Sequence, residues 1–123
     1  MKFDSLSNTV INCAIEVHKY LGPGLLESTY EHCLAFELTG KKVPFKLQHT
    51  LPVLYKDQKI ECGYRIDLLI DEKLIVELKS VESLLPIHEA QLLTYLKLSE
   101  IKIGLLINFN EKLLKNGIRR FVI

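Results

Sequence analysis

The sequence predicts an α/β protein, a single domain over residues 1–123 with a mixed β-sheet flanked by helices in the order ααβββαββ. Three observations carry this expectation. Apolar residues recur at steps of three and four up to about residue 39, then alternate from Val43 onward, so a helical period gives way to a strand period. Further on, a strand at 74–79, a helix and a strand at 101–109 form a βαβ unit, which should be right-handed with its two strands parallel. Finally, 123 residues correspond to one domain. A chain of this length buries roughly two-thirds of its unfolded surface and needs no disulfide or metal to fold.

Leu6, Val10, Cys13, Ala14, Val17 and Leu21 share one stripe, which predicts a helix over about 5–20. Gly22-Pro23-Gly24 ends it, since glycine suits a left-handed cap and proline cannot continue a helix. A second helix is expected over about 25–39, with Leu26, Tyr30, Cys33, Leu34 and Leu38 inside, closed by Gly40-Lys41-Lys42. Val43, Phe45, Leu47, Leu51, Val53 and Tyr55 then share one parity, the pattern of a half-buried strand. Pro52 within it points to an edge position or a bulge. After the turn-like Lys56-Asp57-Gln58-Lys59, the residues Ile60, Cys62, Tyr64, Ile66, Leu68 and Ile70 alternate as a second strand, and Asp71-Glu72-Lys73 turns the chain into Leu74–Lys79. Pro86 opens a third helix over about 86–99, where its fixed φ and missing N–H are tolerated. Ile101 to Phe109 has the apolar continuity of a strand buried on both faces. A loop from Asn110 to Gly117, with a helical turn near Leu113-Leu114, leads to a last short strand at Ile118–Ile123. The sheet should be antiparallel on the hairpin side and parallel at the crossover.

Sixteen basic and fifteen acidic residues leave a net charge of +1, which excludes a strongly basic domain held to nucleic acid by bulk phosphate attraction. Any grip on a polyanion has to be local. The first eight residues lack the basic start and apolar run of a secretory signal, and no apolar stretch approaches the ~20 residues of a membrane span. The expectation is a cytoplasmic protein without a membrane partner. Cys13, Cys33 and Cys62 are odd in number with no C-x-x-C spacing, and all three fall on apolar parities, so they are expected as buried, reduced thiols.

The central hairpin carries the most informative arithmetic. Ile66, Leu68 and Ile70 on one strand and Leu74, Val76 and Leu78 on the next should share a face, which requires partner numbers with an even total. A three-residue turn pairs Ile70 with Leu74, and the same register sets Asp67 against Glu77, with Lys79 two residues along. Like charges directly opposite are destabilising, so something must offset the repulsion. Solvent exposure with Lys79 and Arg65 as counterions is the simpler explanation. The other is a divalent cation, because hard oxygen ligands suit Mg²⁺ or Mn²⁺.

Two more groups of residues bear on this choice. His88, Gln91 and Tyr95 lie within about 60° of one another on the third helix, either as a solvated polar face or as donors bordering the carboxylates. Glu27 and Tyr30 share a face of the second helix. A glutamate in a first turn is stabilised by the helix dipole and needs no further reason. The Gly22-Pro23-Gly24 turn is not a phosphate loop, since no strand precedes it and no Lys-Ser/Thr comes after it.

Gly24-Leu25-Leu26-Glu27-Ser28-Thr29-Tyr30 fits the pattern G-x-x-E-x-x-Y and resembles the GxxExxY protein family. The resemblance extends through Val17–Gly24, Tyr64–Leu69, Val76–Lys79, Gln91–Leu96 and Asn108-Phe109, covering essentially the whole chain. That family in turn resembles the PD-(D/E)XK nuclease superfamily, with its restriction-endonuclease-like core. The resemblance implies a signature carried by Asp67 and by Glu77-Leu78-Lys79, a Q-x-x-x-Y helix at Gln91 to Tyr95, and Glu27 as the acid from an upstream helix. Ile66 stands where the motif's name has proline, a change of little consequence because the site needs the aspartate.

What the resemblance implies is a metal-dependent nuclease. Asp67, Glu77 and Glu27 would hold Mg²⁺ or Mn²⁺, Lys79 would assist the attacking water, and Gln91, Tyr95, His88 and Tyr30 would contact the substrate. The implied partner is nucleic acid, DNA first. No helicase or separate DNA-binding unit accompanies the core within these residues, so affinity for DNA is expected to come from a homodimer or a partner protein. Lys41, Lys42, Arg119 and Arg120 are either phosphate contacts or, more simply, solvated surface. His18 receives no role. The alternative is a non-enzymatic module that keeps the nuclease fold and binds a metal, a nucleotide or a partner without turnover.

Overall fold

Asp4 starts the first helix. Its carboxylate accepts the Ser7 N–H at 2.9 Å, satisfying one of the orphan donors of α1 (Ser5–Leu21). In the computed structural model, which describes residues 3–123, Gly22 ends that helix at φ 67° and α2 spans Glu27–Gly40. Met1 and Lys2, the start of the segment that lacks a secretory-signal pattern, lie outside the described residues. The chain continues through β1 (Phe45–Thr50), β2 (Val53–Tyr55), β3 (Gln58–Ile60), β4 (Arg65–Ile70), β5 (Leu74–Lys79), α3 (Pro86–Ser99), β6 (Ile103–Asn108), a 3₁₀ turn at Leu114–Gly117, and β7 (Ile118–Val122). Among the described residues no helix is long and apolar enough to cross a membrane.

Five strands form one sheet in the order β1-β4-β5-β6-β7. The β5–β6 pair is parallel and the other neighbours are antiparallel, as the βαβ unit and the hairpin require. One face packs against α1 and α2 through Val10, Val17, Tyr30 and Leu34 with Leu68, Val76 and Ile107 of the sheet. The other packs against α3 through Leu92, Tyr95 and Leu96 with Leu69, Ile75 and Leu106. This is a mixed α/β architecture with helices on both faces of the sheet, consistent with a restriction-endonuclease-like fold.

Two expected strands are each divided. Pro52 has no N–H to give a ladder, and the Leu51 N–H goes to the Tyr64 carbonyl at 2.9 Å, closing the β1–β4 pairing there. Beyond that point the chain leaves the main sheet, and β2 pairs with β3 as a separate ribbon. The alternation from Ile60 to Tyr64 therefore does not face a core: Cys62 is exposed and Cys33 only half-buried, which corrects the expectation of three buried thiols, while Cys13 is buried. The edge position inferred for the first strand is the place of β1.

Candidate active site

The β4–β5 hairpin has the expected register, Ile70↔Leu74 and Leu68↔Val76, around a turn in which Asp71 and Glu72 take positive φ. Its ladder stops at Leu68↔Val76. At the next level the carboxylates replace ladder carbonyls. The Asp67 N–H donates to Oε2 of Glu77 at 2.7 Å, and the Leu78 N–H donates to Oδ2 of Asp67 at 2.9 Å. Each acid is thus oriented by a backbone donor on the opposite strand.

The face pattern also changes here, correcting the expectation that Ile66, Leu68 and Ile70 share a side. Ile66 packs with the α3 cluster, whereas Leu68 packs with α1 and α2. A regular strand keeps residues two apart on one face, so the alternation slips at Asp67. Opposite Asp67, in the register of β1 and β4, Gln48 adopts φ 49°, a left-handed conformation that non-glycine residues rarely take. Its Nε2 donates to Oε1 of Glu31 on α2 at 2.6 Å and to Oδ1 of Asp67 at 3.2 Å. Gln48 therefore links the strand acid to a helix acid. Sequence reasoning missed both Glu31 and Gln48. The available signal was Glu31 itself, a charged residue on the inner stripe of α2, three residues before Leu34 and seven before Leu38.

Glu77 is 4% exposed. Burial and then the neighbouring Asp67 charge push its carboxyl up to about 8, although the Asp67 N–H and the Lys79 charge pull the other way. Burial also raises Glu31, eased by the hydrogen bond from Gln48. Neither Lys79 nor Arg65 neutralises the pair by direct contact. Among the described residues the ion pairs are Lys46–Glu72, Lys73–Asp71 and Arg120–Asp4, and none reaches Asp67 or Glu77.

Glu27 is the first residue of α2, exposed, with its charge reaching Glu77. Tyr30 shares that face of the helix but not its exposure. It is fully buried, stacked on Phe109 at 4.4 Å. Its hydroxyl donates to the Gly22 carbonyl at 2.6 Å and accepts the Leu25 N–H at 3.1 Å. The Ser80 hydroxyl donates to the Leu25 carbonyl at 2.6 Å, so the turn that introduces Glu27 is pinned from both α2 and the end of β5. The chemistry of Tyr30 here is that of a buried tie, with no surface to offer a substrate.

On α3, His88 turns back on the helix start: its Nδ1 accepts the Leu85 N–H at 3.0 Å while its own backbone N–H donates to the Leu85 carbonyl at 2.9 Å. Gln91 donates to the Tyr95 hydroxyl at 3.1 Å, and Tyr95 packs beside Ile75, two residues before Glu77 on the same strand. A cavity of about 560 Å³ lies away from the carboxylates, between the β1 edge and the C-terminal end of α3, at His49, Leu51, Glu72 and Ser99.

The outlying basic residues divide. Lys41, Lys42 and Arg119 are exposed, whereas Arg120 is tied to Asp4 at 2.8 Å and is no free phosphate contact. His18, which the sequence left without a role, joins α1 to the loop after β6 through Nε2 and the Glu111 carbonyl at 2.7 Å.

Among the described residues no three His, Cys, Asp or Glu side chains converge as a ready metal cage. The donor set nonetheless fits a hard divalent ion: two adjacent carboxylates, each held in place by a backbone N–H and neither paired with a cation. A bound ion would offset both the burial and the Asp67 charge that raise Glu77.

Comparison with known proteins bears on this arrangement. The family model of the PD-(D/E)XK nuclease superfamily matches residues 4–121. No match is found among curated proteins or among solved structures. With a match spanning α1 to β7 and an aspartate facing a Glu-x-Lys triplet across the hairpin, the chain belongs to the PD-(D/E)XK nuclease superfamily.

Proposed function

We propose that this protein is a divalent-metal-dependent nuclease that hydrolyses phosphodiester bonds of nucleic acid, with DNA as the favoured substrate. The observation that carries the proposal is the end of the β4–β5 ladder, where two carboxylates face each other without a counterion. Like charges directly opposite across strands are destabilising, and a bound cation would offset them. Asp67 and Glu77 are the proposed ligands of Mg²⁺ or Mn²⁺, and Glu27 is the proposed third acid from the mouth of the site. A bound divalent ion supplies a water of lowered pKa and charge neutralisation at the phosphate. Lys79 ends β5 two residues beyond Glu77, with no ion pair among the described residues, where an ammonium can orient the attacking water or stabilise charge growing on the phosphoryl oxygens. Gln91 and Tyr95, already joined by a hydrogen bond, present one polar edge of α3 to the phosphodiester backbone, and His88 holds the start of that helix. Tyr30 acts in this scheme by fixing the turn before Glu27.

Incubation with labelled single-stranded, duplex, branched and RNA substrates tests the proposal. Cleavage is expected with Mn²⁺ or Mg²⁺ and not with EDTA, and Lys79→Ala should lower it at least about 100-fold while the melting curve is kept. Wild type that cuts none of these substrates overturns it. If Mn²⁺ then still raises the melting temperature, the chain is a metal-binding module without turnover.

A further inference from the structure

Beside the carboxylate pair lies a groove of about 470 Å³ that shares Gln91 and Tyr95 with the proposed backbone contact and extends beyond it. Tyr64, Tyr95, Val53, Ile87, His88 and Gln91 form most of its wall. We propose that this groove holds an unpaired nucleobase of the substrate strand, so that the site takes single-stranded nucleic acid or a frayed end.

The inference rests on the nuclease reading of Asp67 and Glu77 and adds to it the class of substrate. Among the described residues no Lys, Arg, Asp or Glu lines the groove, so its apolar part offers a phosphate no charged partner. Tyr64 is 46% exposed and meets Tyr95 edge-on at 6.2 Å, leaving a ring available for stacking. Ile87, 67% exposed, supplies an apolar surface on the facing helix. Gln91 and Thr94 offer hydrogen-bonding groups at the rim, enough for a base edge. The volume falls in the range of small-ligand sites, roughly 300–1,000 Å³.

Position argues the same way. Tyr95 belongs both to the groove and to the cluster around Ile75, and Glu77 comes two residues after Ile75 on the same face of β5. Tyr64 immediately precedes β4, three residues before Asp67. A strand whose phosphate reaches the two acids therefore has its neighbouring base beside this groove. A base inside a duplex is already stacked on both sides and cannot enter without leaving its helix. Aromatic stacking of single bases tolerates any sequence, so the groove selects strandedness and not sequence.

The test uses the full chain carrying Lys79→Ala, with Mn²⁺ present, so that binding is read without turnover. Fluorescence anisotropy compares three probes: a short fluorescein-labelled single strand of mixed sequence, the same length of abasic sugar-phosphate, and a blunt duplex. The base-bearing single strand should bind roughly tenfold or more tightly than either other probe. Adding Tyr64→Ala, or Ala90→Leu to fill the groove from the exposed face of α3, should bring the single strand to within about twofold of the abasic probe. Equal binding of base-bearing and abasic strands, no binding at all, or a Tyr64→Ala loss shared by all three probes overturns the proposal. The two ideas fail separately. A wild type that cuts with Mn²⁺ yet ignores the base keeps the nuclease and loses the groove. Base-dependent binding without any cleavage keeps the groove and loses the nuclease.

Discussion

Asp4 and Glu77 are both carboxylates drawn partly or wholly out of water, and their acidities move in opposite directions. Burial alone would raise each of them. At Asp4, hydrogen bonds from the Ser7 backbone and hydroxyl and from Arg120 outweigh burial and hold the group down at about 2. At Glu77, burial and the Asp67 charge outweigh one backbone N–H and the Lys79 charge, and the group is pushed up to about 8. One corner of the molecule, where α1 meets the edge strand β7, has its acid fully matched by donors. The other, where β4 and β5 part, has two acids and, among the described residues, no contacting cation. An acid matched by donors ties two elements together, whereas an acid kept short of them is left open to a ligand.

Removing the cation from the matched corner should give the largest change in stability. Arg120→Ala leaves Asp4 its two Ser7 donors but removes its paired cation and the guanidinium that lies 4.9 Å from the Phe3 ring. We expect a loss of about 1–2 kcal/mol in urea unfolding, with any Mn²⁺-dependent cleavage unchanged. The unmatched corner should respond with the opposite sign. Asp67→Asn keeps an acceptor for the Leu78 N–H at the cost of the weaker Gln48 contact and removes one of two charges that face each other above about pH 8, so at pH 9 in EDTA the protein should gain about 0.5 kcal/mol. The same variant should lose any rise in melting temperature on adding Mn²⁺, whereas Arg120→Ala should retain it. A destabilised Asp67→Asn in EDTA at about pH 9 would show that the two acids are not in conflict.

The smallest effect is a pH window. Asp4 has a folded value of about 2 against an ordinary 3.8, so its ionised form favours the fold. That contribution is fully present above about pH 4 and fades as pH falls toward and through 2. Wild type should therefore exceed Asp4→Asn in melting temperature at pH 5, with the gap closing near pH 2. A constant gap would mean that Asp4 acts by capping alone, without its charge.

The acids of the hairpin were legible in the sequence because two short-range rules fix them. Strand alternation assigns faces, and the three-residue turn at Asp71-Glu72-Lys73 sets the register, so Asp67 comes opposite Glu77 from local information. Glu31 and Gln48 were not legible in this way. Their contact joins a helix to an edge strand, and it depends on a left-handed backbone at Gln48 that its residue type does not announce. Alternation also misled beyond Leu51. Val53, Tyr55, Ile60 and Cys62 continue the strand parity, yet the missing N–H of Pro52 ends the ladder, and β2 and β3 pair off as a ribbon of their own. Tyr30 shows a third limit. Its spacing from Glu27 places both on one side of α2, but spacing does not say that a hydroxyl is already taken by Gly22 and Leu25.

Those ties at Leu25 bear on when the molecule can act. Asp67 and Glu77 are brought together by adjacent strands of one hairpin. Glu27 and Glu31 arrive only when α2 docks, and the docking is secured by Ser80 reaching back to Leu25 and by Gln48 reaching across to Glu31. A chain in which the N-terminal helices have come loose, during synthesis or in partial unfolding, keeps the hairpin acids but lacks the full acidic constellation. Under the proposed nuclease reading, competence to cut would depend on the docking of α2 as well as on the hairpin.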